Sequence, residues 1–274
     1  MILPRRNKAL MPRPTTHFDV STGSTASHCR AIVTGGSRGI GRAIVERLHS
    51  DGALVTTCGR GPRPADLPDG VHWVQADVAD PEDAARIVTQ AHQTFGHTTL
   101  LVNNAGVQVE KTVTESSDAD WDLVMGVNCR GVFSMCREVL RVMDSEGGVI
   151  INVGSISASL SDPSMALYNA SKAFTNSLTR SIAVDHGPLV RCNSVSPGWI
   201  STNMSQDAFA LAKSPQAAAR DAIDRHPLRR LGTPEDVAAM VAWLASDQAA
   251  FVTGQNFTVD GGLTSASPLR PEFF

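Results

Sequence analysis

The feature that most constrains this chain is an alternation of short apolar runs with stretches of helical spacing. Seven runs read as strands: Ala31-Ile32-Val33, Ala53–Thr57, Val71–Ala76, Leu100-Leu101-Val102, Val149–Val153, Val190–Val195 and Gln255–Val259. Between them, Gly39–His49, Pro81–Phe95, Ala119–Met143, Ala166–Asp185 and Pro234–Ser246 read as helices, and an Ala-rich helix is expected to run to about His226. Strands that alternate with helices imply right-handed crossovers and a parallel sheet. The predicted fold class is therefore α/β: a single doubly wound Rossmann-type domain, with a seven-stranded parallel sheet flanked by helices. One crossover differs. Gly59–Gly70 contains three prolines and three glycines, so a loop is expected between the second and third strands.

A chain of 274 residues can bury a core without staples. A net charge of -3 lacks the basic surplus of a nucleic-acid binder, so no nucleic-acid partner is expected. No run approaches the roughly 20 apolar residues of a membrane helix, so no membrane partner is expected. The five cysteines, Cys29, Cys58, Cys129, Cys136 and Cys192, are odd in number and lack CxxC spacing. They fit a reducing, cytoplasmic setting better than a disulfide framework. The eight histidines form no HxxxH or HExxH pattern, and no metal is expected. Segment 1–28, basic and containing Pro4, Pro12 and Pro14, reads as a disordered tail, with a transit peptide as the alternative. The domain is expected over 29–264. Segment 265–274 is a second tail, either disordered or packed on a neighbouring subunit.

Thr34-Gly35-Gly36-Ser37-Arg38-Gly39-Ile40-Gly41 follows the first strand and opens the first helix. Glycines there permit a tight turn, and free amides at the helix N-terminus can meet an anion. The spacing is Gly-x-x-x-Gly-x-Gly, and this turn resembles that of the short-chain dehydrogenase/reductase family. Asn103-Asn104-Ala105-Gly106, Tyr168-Asn169-Ala170-Ser171-Lys172, Ser196-Pro197-Gly198 and Val259-Asp260-Gly261-Gly262 match further motifs of that family, in order. The resemblance spans roughly Arg30 to Gly262.

Tyr168 and Lys172 stand at i and i+4 on a predicted helix and share a face. Tyr168 is the only tyrosine in the chain. A phenol titrates near 10, so acting as a base near neutrality needs about 4 kcal/mol of help. A lysine ammonium about 4 Å away supplies about that much at an effective dielectric near 20. Tyr168 is thus the expected general acid in reduction and base in oxidation, with Lys172 lowering its pKa. The resemblance implies that Ser155 holds the substrate oxygen, with Ser157 as its competitor, and that Asn128 holds a relay water. Asn128 could instead merely bend or cap a helix.

The resemblance further implies nicotinamide-cofactor contacts at Gly35, Ser37, Arg38, Gly39, Ile40, Gly41, Asp77, Val78, Asn104, Ala105, Gly106, Tyr168, Lys172, Pro197, Gly198, Ile200 and Thr202. Asp77 could instead cap the helix that starts near Pro81. An acid binds the ribose 2′-hydroxyl in NAD enzymes of this type. Its place here holds Gly59, followed by Arg60. Arg38 and Arg60 would suit a 2′-phosphate, with Arg63 as a further candidate, so NADP is favoured and NAD is the alternative.

The expected reaction is hydride exchange between nicotinamide and a carbonyl or secondary alcohol, a small-molecule substrate. The other readings are an NAD-dependent sugar or polyol dehydrogenase and a catalytically silent cofactor-binding regulator. Trp199, Met204 and Phe209 could wall an apolar substrate pocket or be plain core. The family implies a homo-oligomer, a dimer or tetramer, through the helices Ala119–Met143 and Ala166–Asp185.

Overall fold

The computed structural model describes residues 29–143 and 147–266. The tail over 1–28, and 267–274 of the second tail, lie outside the described residues. Ser265 closes a short 3-10 turn, Leu263–Ser265.

Seven strands form one parallel sheet: β1 (Arg30–Thr34), β2 (Leu54–Gly59), β3 (His72–Gln75), β4 (Leu100–Asn103), β5 (Gly148–Val153), β6 (Val190–Pro197) and β7 (Asn256–Val259), in the order β3-β2-β1-β4-β5-β6-β7. The register sets Ile32 between Thr56 of β2 and Leu101 of β4. Strand order reverses at β1 and β4, which opens a crevice beyond their carboxyl ends.

The two-residue period of the strands divides the core into two layers. Ala31, Val33, Leu100, Val102, Val149 and Ile151 face one layer, closed by α1 (Gly39–Ser50) and α8 (Pro234–Ala245) through Ile44, Val45, Val237 and Val241. Ile32, Leu101 and Ile150 face the other. That layer is closed by α2 (Pro81–Phe95), α4 (Val132–Val142) and α5 (Ala166–His186) through Ile87, Met135 and Ile182. Each such aliphatic side chain contributes roughly 1.5–3 kcal/mol of burial.

Two helical expectations need correction. Ala119–Met143 is not one helix but α3 (Asp118–Met125), a π-helical turn (Gly126–Gly131) and α4. The Ala-rich stretch is two helices, α6 (Asn203–Ala210) and α7 (Pro215–Arg225). Pro215 starts α7, and Ser214 before it is extended, as a residue preceding proline prefers. The crossover between β2 and β3 contains no helix, as its prolines and glycines require. Asp80, not Asp77, caps α2: its side chain accepts from the Glu82 amide. Asp77 instead accepts from the Ala79 amide at 3.0 Å.

Candidate active site

The glycine turn sits at the carboxyl end of β1, pinned from both sides. Thr34 Oγ1 accepts from the amides of Asn104 and Ala105, each at 3.0 Å. Asn104 Nδ2 donates back to the carbonyls of Thr34 and Gly35. A Cβ on Gly41 would lie 2.3 Å from the Gly35 oxygen, and one on Gly36 would lie 2.1 Å from Thr57 Oγ1. Gly35 and Gly39 have positive φ of 72° and 57°. These positions therefore require glycine for geometry. The amides of Ser37 and Arg38 donate to no described residue. They stand at the N-terminus of α1, across from Thr202, whose side chain is 3.5 Å from where a Gly39 Cβ would be. Free amides and a helix N-terminus fit an anionic pyrophosphate.

Several expected cofactor residues offer only main chain. Ile40 packs against the core, and Ile200 and Val78 are buried in it. Asn104 spends its amide on the turn. Thr202 caps α6 in a reciprocal box with Ser205. Pro197 ends β6, and the Gly198 amide donates to Val259 O at 2.9 Å, holding the following segment against β7. Gly106 lies beside Asn128 and Lys172: a Cβ there would be 3.4 Å from Asn128 Oδ1 and 3.5 Å from Lys172 Nζ.

At the end of β2, a Cβ on Gly59 would lie 2.7 Å from the Trp73 ring, so no acidic side chain fits without moving the tryptophan. Arg38 and Arg60 are exposed, and neither guanidinium bonds to a described residue. Arg63 does not join them. It donates to the carbonyls of Pro64, Leu67 and Pro68 on its own loop. Arg42, which the sequence reading passed over as a helix residue, lies under the turn and bonds to it.

Beyond β5, the Ser155 side chain faces the Tyr168 phenol. Ser155 Oγ accepts from the Ser157 amide at 3.1 Å. Lys172, one turn along α5, is buried, and its Nζ donates to Val153 O at 3.1 Å. Nζ lies 5.5 Å from the Tyr168 ring centroid. Asn128 sits in the π turn, where Oδ1 accepts from Val107 N at 2.9 Å. Its Nδ2 donates to Val107 O and to Ser171 Oγ. The fold thus gathers all four expected catalytic residues at one end of the sheet.

The electrostatics differ from expectation. Burial pushes the Tyr168 phenol up, the nearby Ser155 hydroxyl pulls it down, and the Asp162 carboxylate pushes it up further, a net rise. Lys172 does not lower it in this state. The lysine is itself pushed down to about 8 by burial. The reason is desolvation, which disfavours charge on both groups. A bound cationic ring would add to the forces favouring phenolate.

Above the site, Trp199 stacks on Phe209, centroids 5.0 Å apart and 15° between planes, joining α6 to the segment after β6. Met204 is exposed rather than part of that stack. Among the described residues no His, Cys, Asp and Glu cluster could hold a metal, and no helix is long and apolar enough to cross a membrane.

A family model described as "Enoyl-(Acyl carrier protein) reductase" matches residues 35–264. The chain is 40% identical to 2-(S)-hydroxypropyl-CoM dehydrogenase 3 of Xanthobacter autotrophicus, over 85% of this chain and 95% of that one. It belongs to the short-chain dehydrogenase/reductase family. This short-chain dehydrogenase/reductase is also 34% identical to the NADP-dependent (R)-specific alcohol dehydrogenase of Lentilactobacillus kefiri, over 86% and 96% of the two chains. The solved aldohexose dehydrogenase of Thermoplasma acidophilum superposes with a TM-score of 0.83 at 32% identity, covering 88% of this chain and 95% of that one. As a member of that family the chain is an oxidoreductase.

Proposed function

We propose that the protein interconverts a ketone and a secondary alcohol, with NADP(H) as cofactor and Tyr168 as general acid and base. The observation that carries this is the Ser155 side chain facing the Tyr168 phenol beside the buried Lys172, at the same end of the parallel sheet as a glycine turn with free amides. Ser155 orients the substrate oxygen against the phenol. Tyr168 gives its proton to that oxygen in reduction and takes it back in oxidation. The ring of a bound nicotinamide cation would favour the phenolate form, and Asn128 would hold a water that relays the proton to Lys172. A nicotinamide cofactor held at the glycine turn would supply the hydride in reduction and accept it in oxidation.

NADP(H) is supported by the two unpaired arginines, Arg38 and Arg60, and by Trp73 standing where an acid at position 59 would reach. NAD-dependent oxidation of a sugar or polyol is the second reading, favoured by the likeness to the aldohexose dehydrogenase. The domain is taken as 29–264, working as a homo-oligomer, and five free thiols suit a reducing cytoplasm.

The test is fluorescence titration with NADPH and NADH, together with turnover of Tyr168→Phe on a panel of ketones and alcohols. Tighter NADPH binding is expected, with turnover falling by about 10²–10⁴ in the variant while cofactor affinity holds. Preference for NADH would overturn the arginine argument. Unchanged turnover in the variant would overturn the role of Tyr168.

A further inference from the structure

Arg42 is the fourth residue of α1, and its side chain is only 11% exposed. A guanidinium buried among apolar residues demands partners. Its hydrogen-bond partners lie in two separate loops, and Glu46, one turn along α1, pairs with Nη1 at 3.6 Å. Nε donates to Gly36 O and Nη2 to Ser37 O, both at 3.2 Å. Nη1 donates to Asp66 O at 3.0 Å, and Nη2 also meets the Asp66 carboxylate at 3.1 Å.

In a trans peptide the carbonyl and the following N–H point in opposite directions. The Gly36 carbonyl shares its peptide with the Ser37 amide, and the Ser37 carbonyl shares its peptide with the Arg38 amide. Drawing both carbonyls inward onto Arg42 turns both amides outward. These are the two amides that find no acceptor among the described residues. The second half of the contact reaches the Pro-rich crossover between β2 and β3. Asp66 is tied to the guanidinium through both its carbonyl and its carboxylate, and Arg63 closes the same loop on the carbonyls of Leu67 and Pro68. The loop that follows Arg60 is therefore fastened to the turn that carries Arg38.

We infer that Arg42 is a positioning residue that fixes the phosphate-binding turn and, through Asp66, couples it to the Pro-rich loop, so that this pair sets cofactor affinity rather than turnover. The inference rests on the dinucleotide-binding reading above.

The test uses the full chain with the variants Arg42→Met, Arg42→Lys and Asp66→Asn. Dissociation constants for NADPH and NADH are read by fluorescence, and kcat at saturating cofactor is read on a substrate the wild type accepts. Arg42→Met is expected to weaken both cofactors at least tenfold, with kcat within threefold of wild type. Arg42→Lys, which can serve only one or two of the oxygens, should recover part of that loss. Asp66→Asn should weaken binding two- to fivefold at unchanged kcat. The Asp66 side chain is 81% exposed, so that variant decides the matter even if Arg42→Met fails to fold. Affinities unchanged in Asp66→Asn and Arg42→Lys, or a loss confined to kcat, would overturn the inference. A wild type that binds neither dinucleotide would instead overturn the functional reading itself.

Discussion

Lys172 holds an ammonium in a buried position where Val153 O is the protein oxygen it donates to. Burial lowers its pKa from 10.5 to about 8. Between those values the unfolded chain binds a proton that the folded chain has released. Stability must therefore rise with pH across that window and lie at its lowest contribution from this group below about 8, where both states are charged. Lys172→Met removes the effect. Denaturant midpoints of wild type and variant should diverge in favour of wild type as pH rises from about 8 to 10.5, and run parallel below 8. Parallel curves throughout would refute a depressed lysine. The partnership of Tyr168 with Lys172 was legible from i, i+4 spacing, and Ser155 from the motifs around it. The sign of the phenol shift was not, because desolvation depends on what the rest of the fold packs over a group. Arg42 was missed for the same reason. Its position in the sequence is that of any charged helix residue, and only the turn and loop closing over it make it a buried donor.

At the level of elements, the strands and most helices followed from periodicity, because β-strands in a sheet covered on both sides must be apolar on both faces. The π turn over Gly126–Gly131 did not. It accompanies Asn128, which reaches across to Val107 and Ser171, contacts distant in sequence. The division of α6 from α7 did carry a local signal, Ser214-Pro215, which an alanine-rich helical pattern obscured. The glycine turn shows how tightly an element's fit can depend on one hydrogen atom. Gly36→Ala would place a methyl 2.1 Å from Thr57 Oγ1 and 2.8 Å from Val45 Cγ2. Overpacking of this kind costs about 1–3 kcal/mol. Gly61→Ala is the matched control, since nothing lies within 4 Å of its Cβ position and its φ is not positive. Thermal melts should show Gly36→Ala several degrees below wild type and Gly61→Ala unchanged or slightly higher. Equal melting of the two would remove the packing argument for Gly36.

For the molecule as a whole, one surface groove bears on assembly. An open groove of about 700 Å³ runs along α3, the π turn, α4 and α5, lined by Trp121, Met125, Cys129, Arg130, Phe133 and Phe174 among others. Trp121 is 52% exposed and Phe133 is 45% exposed. Aromatic residues with arginine at hand are the composition of interface centres rather than of solvated faces. The same elements carry Asn128 and Lys172 on their buried sides and the half-buried Tyr168. A second copy seated on this groove would thus brace the helices that carry these residues from outside. Light scattering at micromolar concentration should find a dimer or larger assembly. Phe133→Glu would bury a charge at that contact and should shift the population toward monomer, because an unpaired charge is costly to desolvate. Cofactor affinity should change less than assembly, since the glycine turn lies at β1 and α1, on other elements. A wild type that is monomeric, or a Phe133→Glu variant that assembles as before, would place the subunit contact elsewhere and leave the groove as a solvated face.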